Sequence, residues 1–194
     1  MECVMDTNNA VFLDRDGVIT HDPPHYAHRI DQLALIEGSG LAIKMLNDTR
    51  FKVIVITNQS GVAKGLYTEN DIEIFNNGMI EQLKQVNAHI DAIYYCPHHP
   101  EAKMEKYRID CDCRKPNPGM LIKAEEKFNI DFKSSFLVGD KWSDIEAGRS
   151  VGCKTILVET GHGLLEYENK KYYVDYVAAD LLDAVQNFIL RMNK

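Results

Sequence analysis

Val11-Phe-Leu-Asp-Arg-Asp-Gly-Val-Ile19 runs an apolar stretch into two aspartates one residue apart and then a glycine. Such a run is a buried strand delivering carboxylates to its end. In parallel α/β sheets, reactive groups collect beyond the carboxyl ends of the strands, where loops vary without disturbing the core. Successive strand residues face opposite ways, so Asp14 and Asp16 reach one substrate only if the chain turns directly after Asp14, a turn that Gly17 eases. Two carboxylates this close repel each other. A divalent cation would offset the repulsion, and Mg²⁺ suits an all-oxygen site that also meets a phosphate.

The rest of the chain alternates between strand and helix patterns. After a polar loop over 20–31, a helix is predicted over 39–46 with Leu41, Ile43, Met45 and Leu46 apolar. The β-branched run of 52–57 is a buried strand ending in the polar turn Asn58-Gln59-Ser60-Gly61. Thr68 caps a helix that carries Asp71 in its first turn and extends to about Val86. A third strand is predicted over 90–95. Residues 96–118 hold four prolines, three cysteines and two adjacent histidines, so a cross-link must tie them down. Helix over 120–128, strand over 135–138, helix over 143–149 and strand over 154–158 follow. A strand over 174–177 and a helix over 181–189 close the chain. This alternation implies a parallel sheet between helical layers with right-handed crossovers.

The 194 residues are read as one domain, 1–194, with a sizeable core. A net charge of -7 argues against nonspecific binding to nucleic acid or to an anionic membrane. With no signal-peptide pattern or membrane-length apolar run, the expectation is a cytoplasmic protein, a monomer by default, acting on a small molecule. Five cysteines are an odd number, and the clustering of Cys96, Cys111 and Cys113 suggests metal binding more than disulfides.

Three further stretches follow predicted strands or precede helices, as a shared site requires. Thr57 and the turn residues Asn58, Gln59 and Ser60 offer hydroxyls and amides to phosphoryl oxygens. Arg114 and Lys115 could neutralise a phosphoryl group, with the planar arginine making two bonds to substrate oxygens. In Val138-Gly-Asp-Lys-Trp-Ser-Asp144, Asp140 could complete a metal site with Asp14, and Asp144 could orient Lys141 or a metal-bound water. These parts fit phosphoryl transfer through an aspartyl-phosphate. Asp14 would be the nucleophile and Asp16 the acid and then the base, while Mg²⁺, Lys115 and Thr57 stabilise charge.

The ordered set Asp14-x-Asp16, Thr57, Lys115 and Asp140-x-x-x-Asp144 resembles the haloacid dehalogenase (HAD) superfamily of Mg²⁺-dependent phosphatases. The resemblance implies a HAD-like, Rossmann-like three-layer α/β sandwich, with Mg²⁺ held by Asp14, Asp140 and the backbone carbonyl of Asp16. Within the superfamily, Tyr-Tyr-Cys-Pro-His-His-Pro at 94–100 and Cys-Asp-Cys-Arg-Lys-Pro-Asn-Pro-Gly-Met at 111–120 are similar to the heptose bisphosphate phosphatase family. That subgroup implies structural zinc on Cys96, His98, Cys111 and Cys113, with His99 an adjacent alternative to His98. Three thiolates and one imidazole fill a tetrahedral shell and leave no position for substrate. The subgroup also implies a phosphorylated-sugar substrate in ADP-heptose and lipopolysaccharide core biosynthesis. Asp22, His25 and Tyr26 correspond to its substrate-contacting loop, although Pro23-Pro24-His25 replaces the usual glycine-containing pattern and is one residue longer. There is no room for a large cap domain, so specificity falls to that loop, the zinc loop and Arg114, with Lys141 a further candidate substrate contact. Two other readings are a histidinol-phosphate phosphatase, which shares the aspartates and the zinc loop, and an inactive zinc-stabilised binding module.

Overall fold

The structure is a computed structural model that describes residues 7–23, 26–169 and 173–192. Strands β1 (Ala10–Leu13), β2 (Lys52–Asn58), β3 (Ala92–Cys96), β4 (Phe136–Gly139), β5 (Lys154–Val158) and β6 (Tyr176–Ala178) form one sheet in the order β3-β2-β1-β4-β5-β6. Every pairing is parallel. The core strands are buried on both faces, as their continuous apolar runs require. Val11, Leu13, Val53, Val55, Phe136 and Val138 point into one apolar layer, and Phe12, Ile54, Ile56 and Leu137 into the other.

The first layer is closed by α1 (Ser39–Asn47), by α3 (Glu69–Lys84) through Phe75, Met79 and Leu83, and by the C-terminal helical segment through Leu181, Ala184, Val185 and Ile189. Met120, Leu121 and Ala124 of α4 (Gly119–Phe128) and Ala147 of α5 (Trp142–Val151) close the second. The result is the expected HAD-like three-layer sandwich. The longest stretches outside strands and α-helices are residues 14–38 and 97–118, and among the described residues each holds only one short 3-10 turn. Among the described residues, no helix is long and apolar enough to cross a membrane.

Several boundaries differ from the sequence reading for local reasons. The third strand starts at Ala92 because the Asp91 carboxylate accepts from the Val53 amide (2.8 Å) and from Lys52 (2.9 Å), closing the sheet edge before it. The Asn58–Gly61 turn leads into a short helix, α2 (Ser60–Ala63), whose Val62 and Ala63 pack with Tyr67, Ile72, Ala102 and Tyr107. On α1 the buried stripe is Ser39, Ala42, Ile43 and Leu46, and Leu41 stands 52 % exposed off that stripe. Thr68 caps α3 as expected, accepting from the Asp71 amide while the Asp71 carboxylate accepts from the Thr68 amide. The C-terminal helix runs through π-helical turns over Ala184–Ile189.

Candidate active site

Strand order reverses between β1 and β4, which are neighbours in space but have β2 and β3 between them in sequence. A ligand crevice forms at such a switch point, beyond the carboxyl ends of the strands. Asp14 directly follows β1 and Asp140 directly follows β4. The Asp14 amide still donates to the Val138 carbonyl at 3.0 Å, so sheet pairing itself fixes the spacing of the two carboxylates.

Lys115 reaches this point from the far end of the 97–118 loop. Its Nζ lies 2.9 Å from Asp14 Oδ1, 2.8 Å from the Ile56 carbonyl and 2.6 Å from Asp144 Oδ1. All three charged side chains are buried. Burial alone would raise the Asp14 pKa, but Lys115 and Lys141 outweigh it and hold the carboxyl below the usual range. Burial would likewise lower the Lys115 pKa, and Asp14 and Asp144 reverse that, so the ammonium is retained. Asp14 is thereby kept ionised.

The partner of Asp144 differs from the sequence expectation. Its carboxylate pairs with Lys115, not with the Lys141 side chain, while its Oδ2 accepts from the Lys141 backbone amide at 3.0 Å and closes the first turn of α5. Gly139 permits this seat, because a Cβ there would lie 2.2 Å from Asp144 Cβ. Lys141 Nζ instead contacts Asp22 Oδ2 at 3.1 Å and Asp140 Oδ2 at 3.7 Å.

Asp16 turns away from the Asp14–Lys115 pair and is braced from three sides. Arg15 grips it with Nε at 3.0 Å and a terminal nitrogen at 2.9 Å, Thr20 donates to it at 3.2 Å, and Gln59 Nε2 donates at 2.8 Å. Gly17, at φ +86°, makes the required turn. Thr57 is buried beside it, accepting from Gln59 at 2.9 Å.

One pocket gathers Asp14, Asp16, Asp22, Tyr26, Thr57, Asn58, Lys115, Lys141, Ser143 and Asp144. Asn58 also clamps the Lys115 backbone, donating to its carbonyl (3.0 Å) and accepting from its amide (3.1 Å). Gln59 faces inward, bonded to Asp16, Thr57 and the Tyr67 hydroxyl. Ser60 accepts from Arg114 at 2.8 Å. Neither Gln59 nor Ser60 lines that pocket, and His25 lies outside the described residues. His162 stands in a loop whose sequence carries no sign of a functional role. The structure puts its Nε2 3.2 Å from Asp22 and its amide 2.9 Å from Asp140 Oδ2, contacts that span the fold and leave no local sequence signal.

Two groups of side chains fit metals. Asp14, Asp140 and Asp144 each bring a ligand atom within 4.8 Å of the others, and Asp140 Oδ1 is buried with no hydrogen-bond partner. An orphaned buried carboxylate oxygen is what a hard cation would satisfy. Burial, with Asp14 and Asp144 nearby, pushes the Asp140 pKa up to about 8 despite Lys141. In the second group, the Sγ atoms of Cys96, Cys111 and Cys113 lie 3.1–3.5 Å apart, with His98 Nδ1 3.4 Å from Cys113 and 3.8 Å from Cys96. His99 Nδ1 accepts from the Glu101 amide instead, so His98 is the histidine that faces the thiols. Three sulfurs and one nitrogen at these spacings suit a closed tetrahedral zinc site.

Comparison with known proteins agrees with this geometry. Residues 112–184 match the HAD-hydrolase-like family model. The chain is 43% identical over 180 residues to D-glycero-beta-D-manno-heptose-1,7-bisphosphate 7-phosphatase of Escherichia coli K12, covering 91% of this chain and 93% of that one. It is 38% identical to D-glycero-D-manno-heptose-1,7-bisphosphate 7-phosphatase of Chlorobaculum tepidum, covering 96% of each. Among solved structures, D,D-heptose 1,7-bisphosphate phosphatase from B. bronchiseptica, complexed with magnesium and phosphate, superposes with a TM-score of 0.86 at 30% identity. That match covers 94% of this chain and 99% of the other.

Proposed function

The chain belongs to the family of D-glycero-D-manno-heptose-1,7-bisphosphate 7-phosphatases, and from that premise we propose how its residues carry the reaction. It is a phosphoric monoester hydrolase that removes the 7-phosphate of the heptose bisphosphate, a step toward ADP-heptose and the lipopolysaccharide core. The observation that carries the residue assignment is the buried Lys115 ammonium, lying between Asp14 and Asp144 at the switch point of the sheet.

Asp14, kept ionised by Lys115 and Lys141, attacks phosphorus in line with the leaving oxygen. The bond between phosphorus and the C7 oxygen breaks, and Asp16 serves as the acid that supplies that oxygen's proton. Asp16 then takes a proton from water as the water attacks the aspartyl-phosphate, and Asp14 leaves phosphorus as a free carboxylate. Lys115 and the Thr57 hydroxyl face the phosphoryl oxygens, where preorganised charge contributes most. Asp144 and Asn58 act on Lys115. They hold the Lys115 ammonium and backbone in register.

Asp14, Asp140 and the Asp16 carbonyl would hold Mg²⁺, which would supply charge neutralisation for the phosphoryl group. Zinc on Cys96, His98, Cys111 and Cys113 is structural. It fixes the loop that ends in Arg114 and Lys115. Asp22, Tyr26, Lys141 and Asn58 line the pocket that receives the substrate, with Arg114 on Ser60 and Gln59 behind its wall. We take residues 1–194 as one domain, acting as a cytoplasmic monomer without nucleic-acid or membrane partners.

The substrate names borne by the relatives support heptose bisphosphate over histidinol phosphate, and offer nothing for an inactive binding module. The test is kcat/KM with Mg²⁺ for heptose 1,7-bisphosphate against histidinol phosphate, read as free phosphate. A strong preference for the heptose is expected. The reverse preference would keep the chemistry and overturn the substrate.

A further inference from the structure

The pocket that contains Asp14 is too small for a whole sugar phosphate. It offers about 60 Å³, against roughly 300–1,000 Å³ for an ordinary small-molecule site. A second cavity of about 420 Å³ adjoins it, and the two share Asp22, Tyr26 and Lys141. Pro23 and His162 complete the lining of the second cavity.

His162 comes to that cavity from the turn after β5, and the turn is fastened to the ends of β1 and β4. Thr160 Oγ donates to the Gly17 carbonyl at 2.6 Å, and the His162 amide donates to Asp140 Oδ2 at 2.9 Å. Between them Gly161 stands at φ +61°, where a Cβ would lie 2.3 Å from Asp140 Oδ2, so only glycine lets the turn pack this closely. The side chain is braced as well: His162 Nε2 lies 3.2 Å from Asp22 Oδ2, the same oxygen that Lys141 Nζ contacts at 3.1 Å. A carboxylate can only accept, so Nε2 donates to it and Nδ1 is the ring nitrogen left over. Among the described residues Nδ1 has no partner, and the imidazole is 49 % exposed. A sugar hydroxyl both donates and accepts, so it can meet Nδ1 in either protonation state of the ring.

We infer that His162 is a specificity-determining residue: its imidazole, braced on Asp22, hydrogen-bonds a hydroxyl of the sugar whose phosphoryl group occupies the catalytic pocket. The inference rests on the sugar-phosphate reading above and adds to it a contact from the β5 side of the site. A capless site thereby recognises the body of its substrate through a turn that the metal-site aspartate itself holds in place.

The test measures kcat and KM with Mg²⁺-loaded enzyme for heptose 1,7-bisphosphate and for p-nitrophenyl phosphate, which has no hydroxyl on its ring, in the natural chain, His162→Ala and His162→Gln. His162→Ala should raise KM for the heptose bisphosphate about three- to tenfold, the scale of one hydrogen bond, and lower the ratio of the two kcat/KM values by the same factor. His162→Gln, whose amide can donate to Asp22 and still meet a hydroxyl, should recover most of that ratio. The backbone amide that holds Asp140 survives both substitutions, so damage passed through the metal site would fall on both substrates alike. Equal losses on the two substrates, or a ratio unchanged by His162→Ala, overturn the contact while leaving the substrate reading intact. A natural chain with no preference for the heptose bisphosphate over p-nitrophenyl phosphate contradicts the sugar reading itself, and the contact falls with it.

Discussion

The carboxylates after β1 and β4 and the loop over residues 97–118 serve one site but are held in place by opposite means. Asp14 and Asp140 stand on parallel strands buried on both faces, and their spacing comes from sheet hydrogen bonds that exist whether or not a metal is bound. Residues 97–118 contribute no strand and only a single 3-10 turn at Glu105–Tyr107. What binds that loop to the fold is a handful of side chains. The thiols and His98 meet at one point, and the Tyr107 hydroxyl donates to Glu69 of α3. Lys115 belongs to both regions. It is delivered by the irregular loop yet ends 2.9 Å from Asp14, so a centre built on the sheet depends on a loop that needs its own cross-link.

That division can be broken from either side. Asp14→Asn removes the nucleophile with almost no change of shape, and phosphate release should fall at least ~10³-fold while the thermal midpoint holds. Near-normal turnover in that variant would end the proposed chemistry. Lys115→Met keeps length and loses charge. Turnover should drop about 10²–10³-fold, a loss the zinc content should not share if loop and centre are held independently. Cys111→Ser attacks the other region. Bound zinc should fall well below one per chain and the thermal midpoint should drop by roughly 4–8 °C, for a loss of about 2 kcal/mol. Full zinc stoichiometry in that variant would show that the ligand set is wrong.

The smallest effect is a matter of pH. In the metal-free protein, Asp140 keeps its proton up to about pH 8, because burial opposes its charge. Mg²⁺ binds the carboxylate, so it must displace that proton below this pH, and apparent Mg²⁺ affinity should rise by up to about tenfold per unit from pH 6 toward 8 and then level off. Calorimetric titrations at four pH values would show the slope. A flat profile would mean that Asp140 is already ionised without the metal.

The same contrast explains what could be read from sequence alone. β2 and the Thr68 cap were legible because their signals are local: a β-branched run, and a hydroxyl three residues before an acidic partner. The carboxylates after β1 and β4 were legible because a strand's end marks its own position. The Lys115–Asp144 pair was not, since it joins residues on separate elements and neither flanking pattern specifies the other. His162 escaped for the same reason, its link to Asp22 crossing most of the chain. α2 is one helical turn long, too short for a periodicity to register. Gln59 read as a substrate ligand because it follows a strand, yet its amide is taken up by Asp16, Thr57 and Tyr67.

The most direct test of the central claim is to trap the phosphoryl group on the enzyme. Mg²⁺-loaded enzyme mixed with the heptose bisphosphate, quenched in acid within one turnover and reduced with borohydride, should carry homoserine in place of aspartate at position 14 when its peptides are sequenced by mass spectrometry. Reduction at another carboxylate, or none at Asp14 while phosphate is being released, would contradict an attack by Asp14.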